Sequence, residues 1–306
     1  MESLQGLKSR MRAVSSVKEI AKAMEVVAAT KMRKSQETAL RTRPYAYAAL
    51  GFLEKISRLS SVAHPLALER SGGVTLLAVI ASDRGFAGKF NAEVLKKLEV
   101  QLAENPLAQI LVVGKKAESY LRRKKANIVK SFHGYGDLVK PEEIEPLADF
   151  IVSGFAKELW DKVVVVSTHF RTALRQDVLS LQILPIEIEK IRATIREVVP
   201  EHGRYSDLRN DIPKENGERS EQDYIFEPSV AEIFSSILPH LLKMQIYDII
   251  LEANASEHSA RRVAMKNASD NAAELSDELS LSYNKARQSH ITTELIEITA
   301  TQSALA

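Results

Sequence analysis

Residues 82–91, Ser-Asp-Arg-Gly-Phe-Ala-Gly-Lys-Phe-Asn, are the part of this chain closest to a known kind of chemistry. A glycine- and lysine-bearing turn between a strand and a helix can cradle a phosphate, because backbone N–H groups and the helix N-terminus both face the anion. The spacing completes neither phosphate signature. A P-loop needs glycine five residues before Gly88 and a hydroxyl side chain after Lys89, and these positions hold Asp83 and Phe90. The dinucleotide Gly-x-Gly-x-x-Gly spacing is absent too, so the segment reads as a structural turn before a nucleotide site. The histidines (His64, His133, His169, His202, His240, His258 and His290) show no metal-ligand spacing. No His-Glu-x-x-His or Gly-x-Ser-x-Gly occurs. His169 reads as a hydrogen-bonding filler at a strand end. The chain has no cysteine, which excludes disulfides, cysteine-held metals and thiol regulation. No catalytic constellation emerges, and neither a cofactor nor a metal is expected.

Contact chemistry is richer. Glu257-His-Ser-Ala-Arg-Arg-Val-Ala-Met265 sets paired arginines, Arg261 and Arg262, beside small residues. Farther on, Gln288, Thr292 and Leu295 share a helix face at steps of four and three. Arginine grips a carboxylate through two directional hydrogen bonds, and glutamine and threonine add neutral donors and acceptors. A solvated helix edge would show the same spacing. At the other end, residues 1–43 carry ten Lys/Arg against four Asp/Glu, whereas the whole chain has a net charge of only +2. Such a stretch could meet a nucleic acid, an anionic membrane surface, an acidic protein, or simply water. Basic residues there lack interleaved aromatics, which argues against nucleic acid.

The elements that position these residues are two long helices flanking an α/β region. Leu4, Leu7, Met11, Val14, Val17, Ala21, Met24 and Ala28 recur at steps of three and four, a single seam near the 3.5-residue period of a left-handed supercoil. Small seam residues admit another backbone closely. The helix is expected to pass Pro44 with no more than a kink and to end near Arg58. After Gly72-Gly73 the period changes. Apolar runs at Val74–Ala81, Gln109–Val113, Ile128–Phe132, Lys162–Thr168 and Val178–Leu184 read as strands, and helices are expected at Asn91–Leu102, Lys115–Lys124 and Glu142–Leu159. That alternation predicts an open, mostly parallel sheet. The polar stretch 201–222 reads as an exposed loop or hairpin. Pro239 is expected to start a final helix of some sixty residues, about 90 Å long against about 85 Å for the first. The match predicts an antiparallel pair. Nothing approaches the ~18 apolar residues of a membrane span, and no signal or transit segment is evident at the N-terminus.

Three separated blocks, in order, are similar to the γ subunit of F-type ATP synthases. They are Ile20–Lys34 with Arg43-Pro-Tyr-Ala46; Ser82-Asp-Arg-Gly85 with Gly88 and Phe90-Asn91; and Ala255-Ser-Glu-His258, Arg261, Val263-Ala-Met265, Leu281–Gln288 and Ile291-Thr-x-Glu294. The resemblance implies an antiparallel coiled coil of both terminal helices on a Rossmann-like central domain that binds no nucleotide. It implies boundaries at 1–60 and 229–306 for the coil helices, 72–205 for the central domain and 206–228 for an exposed loop or hairpin. It further implies a non-catalytic rotor whose partners are the α and β subunits of the catalytic ring, the ε subunit and the c-ring, at the cytoplasmic face of a bacterial membrane and with no nucleic acid. On matching positions, Arg261, Arg287, Gln288 and Thr292 would face β-subunit loops, while Met24, Lys22, Lys31 and Arg33 would lie near acidic β tips. The chain departs from the family's habits at Thr301-Gln302, where Gly-Ala is common, at Arg262, where methionine is usual, and in the variant turn Ala87-Gly88-Lys89.

Overall fold

Five strands form one sheet because the runs between Thr75 and Leu184 alternate their side chains between two buried faces. In the computed structural model, residues 3–59, 64–70, 73–136, 138–187 and 227–305 are described, with the backbone alone over 42–59 and 303–305. Helix α1 (Leu4–Leu59) is followed by a 3-10 turn (Pro65–Ala67), β1 (Thr75–Ile80), α2 (Phe90–Glu104), β2 (Gln109–Val113), α3 (Lys115–Arg123) and β3 (Ile128–Phe132). Then come α4 (Pro141–Ala156), β4 (Lys162–Phe170), β5 (Gln176–Leu184) and α5 (Val230–Leu305). The stretch 201–222 lies outside the described residues. The chain divides into two compact units that cut both long helices: Met1–Ala28 with Arg261–Ala306, and Ala29–Ala260.

In the larger unit the strand order is β3-β2-β1-β4-β5. β1 pairs in parallel with β2 and β4, β2 with β3, and β5 closes the edge antiparallel to β4. Right-handed crossovers fix the layers. Moving from β1 to β3 puts α2 and α3 on one face, and returning past β1 to β4 puts α4 on the other. Leu77, Val79, Ile110, Val112, Val164 and Val166 face α2 and α3 in one core. Leu76, Ala78, Ile80, Leu111, Val163 and Val165 face the other core, with Ile144, Ile151, Phe155 and Trp160 and with Leu238, Leu242, Ile246, Ile249 and Ile250 of α5. Each buried Val, Leu, Ile or Phe side chain among these contributes about 1.5–3 kcal/mol.

Pro239 does not begin α5; it lies inside it, nine residues past Val230. An interior proline deletes one helix hydrogen bond at a cost of about 3 kcal/mol. Phe234 and Leu238 before it and Leu242 after it lie in one core, and that burial outweighs the loss. At 76 residues against 56, α5 is longer than α1 by twenty, so the helices do not match in length.

The smaller unit is held by a narrow seam. Leu7, Ala21 and Ala28 of α1 and Met265, Ala272 and Leu279 of α5 are buried at multiples of seven residues. Val17 falls outside it. The seven-step from Val14 leads directly to Ala21 and leaves Val17 55% exposed.

Candidate functional site

The turn after β1 spends its hydrogen-bonding groups on its own chain. The Ser82 N–H donates to Asn91 Oδ1 (3.0 Å), and Asn91 Nδ2 donates to Ser82 Oγ (2.7 Å). The Asp83 carboxylate accepts from the Lys115 N–H (2.9 Å) at the start of α3 and from the Gly134 N–H (2.8 Å) after β3. An acidic side chain of the turn is thus spent on capping the neighbouring helix α3 rather than left open toward a ligand. Gly114, at φ +103°, brings the backbone of β2 so close that an added Cβ would lie 2.1 Å from Ala81 O. Nearby, Glu118 accepts from Arg122 (2.7 Å) and contacts His133 Nε2 (2.6 Å). The Arg122 hydrogen bond is the main reason its carboxyl sits below the usual carboxylate range, with His133 and Ser131 adding to it.

The far end of α5 is built differently. From Arg287 to Gln302 every residue is exposed, a run of about 24 Å of helix. Arg287, Gln288 and Thr292 all lie on it. The Thr292 hydroxyl donates to Gln288 O (2.9 Å), which ties it to its own helix. Apolar side chains are exposed here as well, Leu295 at 58% and Ile298 at 62%. Water solvates such side chains poorly, so a run of them on an unsupported helix marks a surface that meets something else.

On α1 the expected contact residues divide. Met24 and Lys31 are half-buried, Lys22 Nζ pairs with Glu25 at 2.9 Å, and Arg33 Nε lies 4.0 Å from Glu37. Sequence reading missed what lies beside them. Val17, Ile20, Met24, Val27 and Lys31 follow at steps of three and four, and the three β-branched residues are all more than half exposed. The signal was available, because Ile20 and Val27 are apolar residues outside the heptad positions. Arg261 stands apart from the other expected contacts. The residue is only 7% exposed and already engaged within this chain. No group of histidine and carboxylate side chains among the described residues could hold a metal, and no described helix is long and apolar enough to cross a membrane.

A family model described as ATP synthase matches residues 3–305. The ATP synthase gamma chain of Pelotomaculum thermopropionicum is 34% identical over 307 residues, covering 100% of each chain. That of Moorella thermoacetica is 37% identical over 310 residues, again covering 100% of each. Among solved structures, a chain of the Euglena gracilis mitochondrial ATP synthase (OSCP, F1 and c-ring, rotational state 3) superposes with a TM-score of 0.65 at 20% identity, covering 99% of this chain and 94% of that one. A chain of the central stalk and c-ring of the Tetrahymena thermophila mitochondrial ATP synthase gives 0.58 at 24% identity, covering 82% and 99%.

Proposed function

The chain belongs to the ATP synthase gamma-chain family, and on that premise we propose that it is the rotor of the central stalk. It turns inside a ring of α and β subunits and couples ion flow through the membrane sector to ATP synthesis or hydrolysis in β. It has no catalytic site of its own. The foot joins the ε subunit and the c-ring, so the chain is peripheral to the cytoplasmic face of a bacterial membrane through its complex.

The observation that carries this reading is the exposed run 287–302 on α5, where apolar and polar contact residues stand on a helix with no internal support. A shaft inside a threefold ring must offer a different face to each catalytic subunit. Each orientation then favours a different β conformation, and turning shifts populations among open and closed states. Shifting such an equilibrium from 1:99 to 99:1 takes about 5.5 kcal/mol of differential contact. Arg287, Gln288 and Leu295 can supply contacts of that order and still release, because none is locked in a large apolar interface. On α1 the exposed stripe Val17, Ile20, Val27, flanked by Lys22, Lys31 and Arg33, suits a partner both acidic and apolar, with the electrostatic share weakened by salt.

Mixing the chain with α and β subunits from its own organism tests the proposal. One copy per three α and three β on size exclusion, with ATPase activity dependent on it, is the expected result. A mixture that yields neither complex nor stimulation overturns it.

A further inference from the structure

Between Ile249 and Ser259, α5 is buried on every face for three turns, although its second half is polar. Glu252, Asn254, Ser256, Glu257, His258 and Ser259 are all buried. A soluble helix keeps such residues on a wet face, so their burial needs a specific reason. The hydrogen bonds sort by side. Tyr247 Oη donates to Val139 O (3.0 Å), Asn254 Nδ2 donates to Tyr135 O (2.6 Å), and His258 Nε2 meets Gly136 O at 3.0 Å. These three residues follow at steps of seven and four and grip the connection between β3 and α4. Glu252 contacts His169 Nδ1, Ser256 Oγ donates to Thr168 O (3.5 Å), and Ser259 Oγ donates to Ala173 O (2.6 Å). They follow at steps of four and three and grip the β4–β5 hairpin.

At 100° per residue, the two sets are centred about 145° apart around the helix. Both jaws are themselves braced. Gly134 N–H and His133, at the start of the first, are tied to Asp83 and Glu118, and the second is the paired end of β4 and β5. Up to and into the start of this stretch α5 packs through Leu242, Ile246, Ile249 and Ile250. Apolar packing resists separation but is non-directional, so it resists twisting and axial slip weakly. Directional hydrogen bonds on opposite sides form a couple that opposes both.

We infer that Tyr247, Glu252, Asn254, Ser256, His258 and Ser259, with His169, form a clamp that locks α5 to the sheet against rotation about its own axis, so that torque passes between helix and sheet without slip. These are positioning residues. The inference deepens the rotor reading and rests on it.

The test uses the complete complex, with membrane sector, in vesicles, comparing ion-driven ATP synthesis with ATP hydrolysis. The double variant Asn254→Ala/His258→Ala, and likewise His169→Ala/Ser259→Ala, is expected to keep hydrolysis within about twofold and to lower synthesis at fixed gradient by fivefold or more. His258→Gln, whose amide nitrogen can replace Nε2, and His169→Asn, whose amide can replace Nδ1, are expected to restore most of the ratio. Phe155→Leu, a sheet-core variant of similar melting loss, is expected to leave the ratio unchanged. An unchanged ratio in both double variants, or an equal loss in Phe155→Leu, overturns the clamp. If the double variants do not assemble, hydrogen exchange of the unmodified complex decides. Amides 252–259 are expected to stay as protected during turnover as those of β4, and faster exchange there overturns the clamp. Failure of the unmodified chain to join any complex would refute the rotor reading instead.

Discussion

Replacing Arg287 and Gln288 together by alanine separates a residue that holds its own chain together from one that holds a partner. Both side chains are exposed, so truncation forfeits almost no buried area, and alanine is at least as good a helix former as either. The expected change in the chain's own stability is within about 0.5 kcal/mol, a melting shift of a degree or two. Leu279, on the same helix, is 6% exposed and sits in the seam. Its replacement by alanine is expected to cost about 2–5 kcal/mol. An arginine desolvated at an interface is worth about 2 kcal/mol or more, which is some thirtyfold in affinity. The pair variant should therefore melt like the parent yet bind an α/β ring at least tenfold more weakly. Leu279→Ala should show the reverse order of effects. Thermal melting of the isolated chain and titration into the ring measure the two quantities. A pair variant that melts clearly earlier, or binds with parental affinity, refutes the assignment of 287–302 as a partner surface.

Three further outcomes test the larger unit. A methyl at Gly154 would lie 1.9 Å from a ring atom of Trp160; Gly154→Ala is expected to cost about 1–3 kcal/mol by overpacking. Trp160 is the chain's single tryptophan, so its fluorescence reports the displacement directly, and an unchanged spectrum counts against the packing described. Asp83→Ala leaves the Lys115 and Gly134 N–H groups without their acceptor, an expected loss of about 1–3 kcal/mol. Asp83→Asn, with one acceptor oxygen instead of two, should recover about half in denaturant melts. Glu118 has a pKa lowered in the fold, chiefly by Arg122. Its contribution is therefore present above the unfolded carboxylate value, about 4.3, and is lost as pH falls through the lower folded value. Glu118→Gln should be less stable than the parent at pH 7 and converge with it in acid, and a constant gap across that range contradicts the sign.

The strands were legible because parallel strands buried on both faces read as unbroken apolar runs, and Leu76–Ile80 and Val163–Val166 are runs of that kind. The long helices were legible through the scarcity of glycine and proline and through the three-four rhythm of Leu7, Met11 and Val14. Pro239 misled because local propensity places a proline at a helix start, whereas the burial of Phe234 and Leu238 is a tertiary effect that no local rule contains. Val17 misled because a three-step from Val14 is as good a helix spacing as the seven-step to Ala21, and only the partner helix chooses between them. The clamp was illegible for a further reason. Asn254 and His258 meet backbone atoms 119 and 122 residues away in sequence, so nothing beside Glu257-His258 announced that these polar side chains would be buried.

Two departures from ordinary burial are informative together. Val17, Ile20, Leu295 and Ile298 are apolar and exposed, while Glu252, Asn254, His258 and Ser259 are polar and buried. Neither arrangement lowers the free energy of an isolated chain, since exposed apolar area forgoes transfer energy and a buried polar side chain only recovers its desolvation through a well-made hydrogen bond. Exposed apolar residues become favourable only against a partner, and polar residues that bond on opposite sides of one helix fix its angle in a way apolar packing cannot. An enzyme has little use for either on a helix of 76 residues. A shaft needs both, because the surface that pushes must be free to change partners and the grip that carries the push must not turn. The proposed rotor therefore stands on the exposed run as well as on family membership, and the clamp is read from it in turn. The pair variant at Arg287 and Gln288 tests the first, and the clamp variants at Asn254 and His258 test the second.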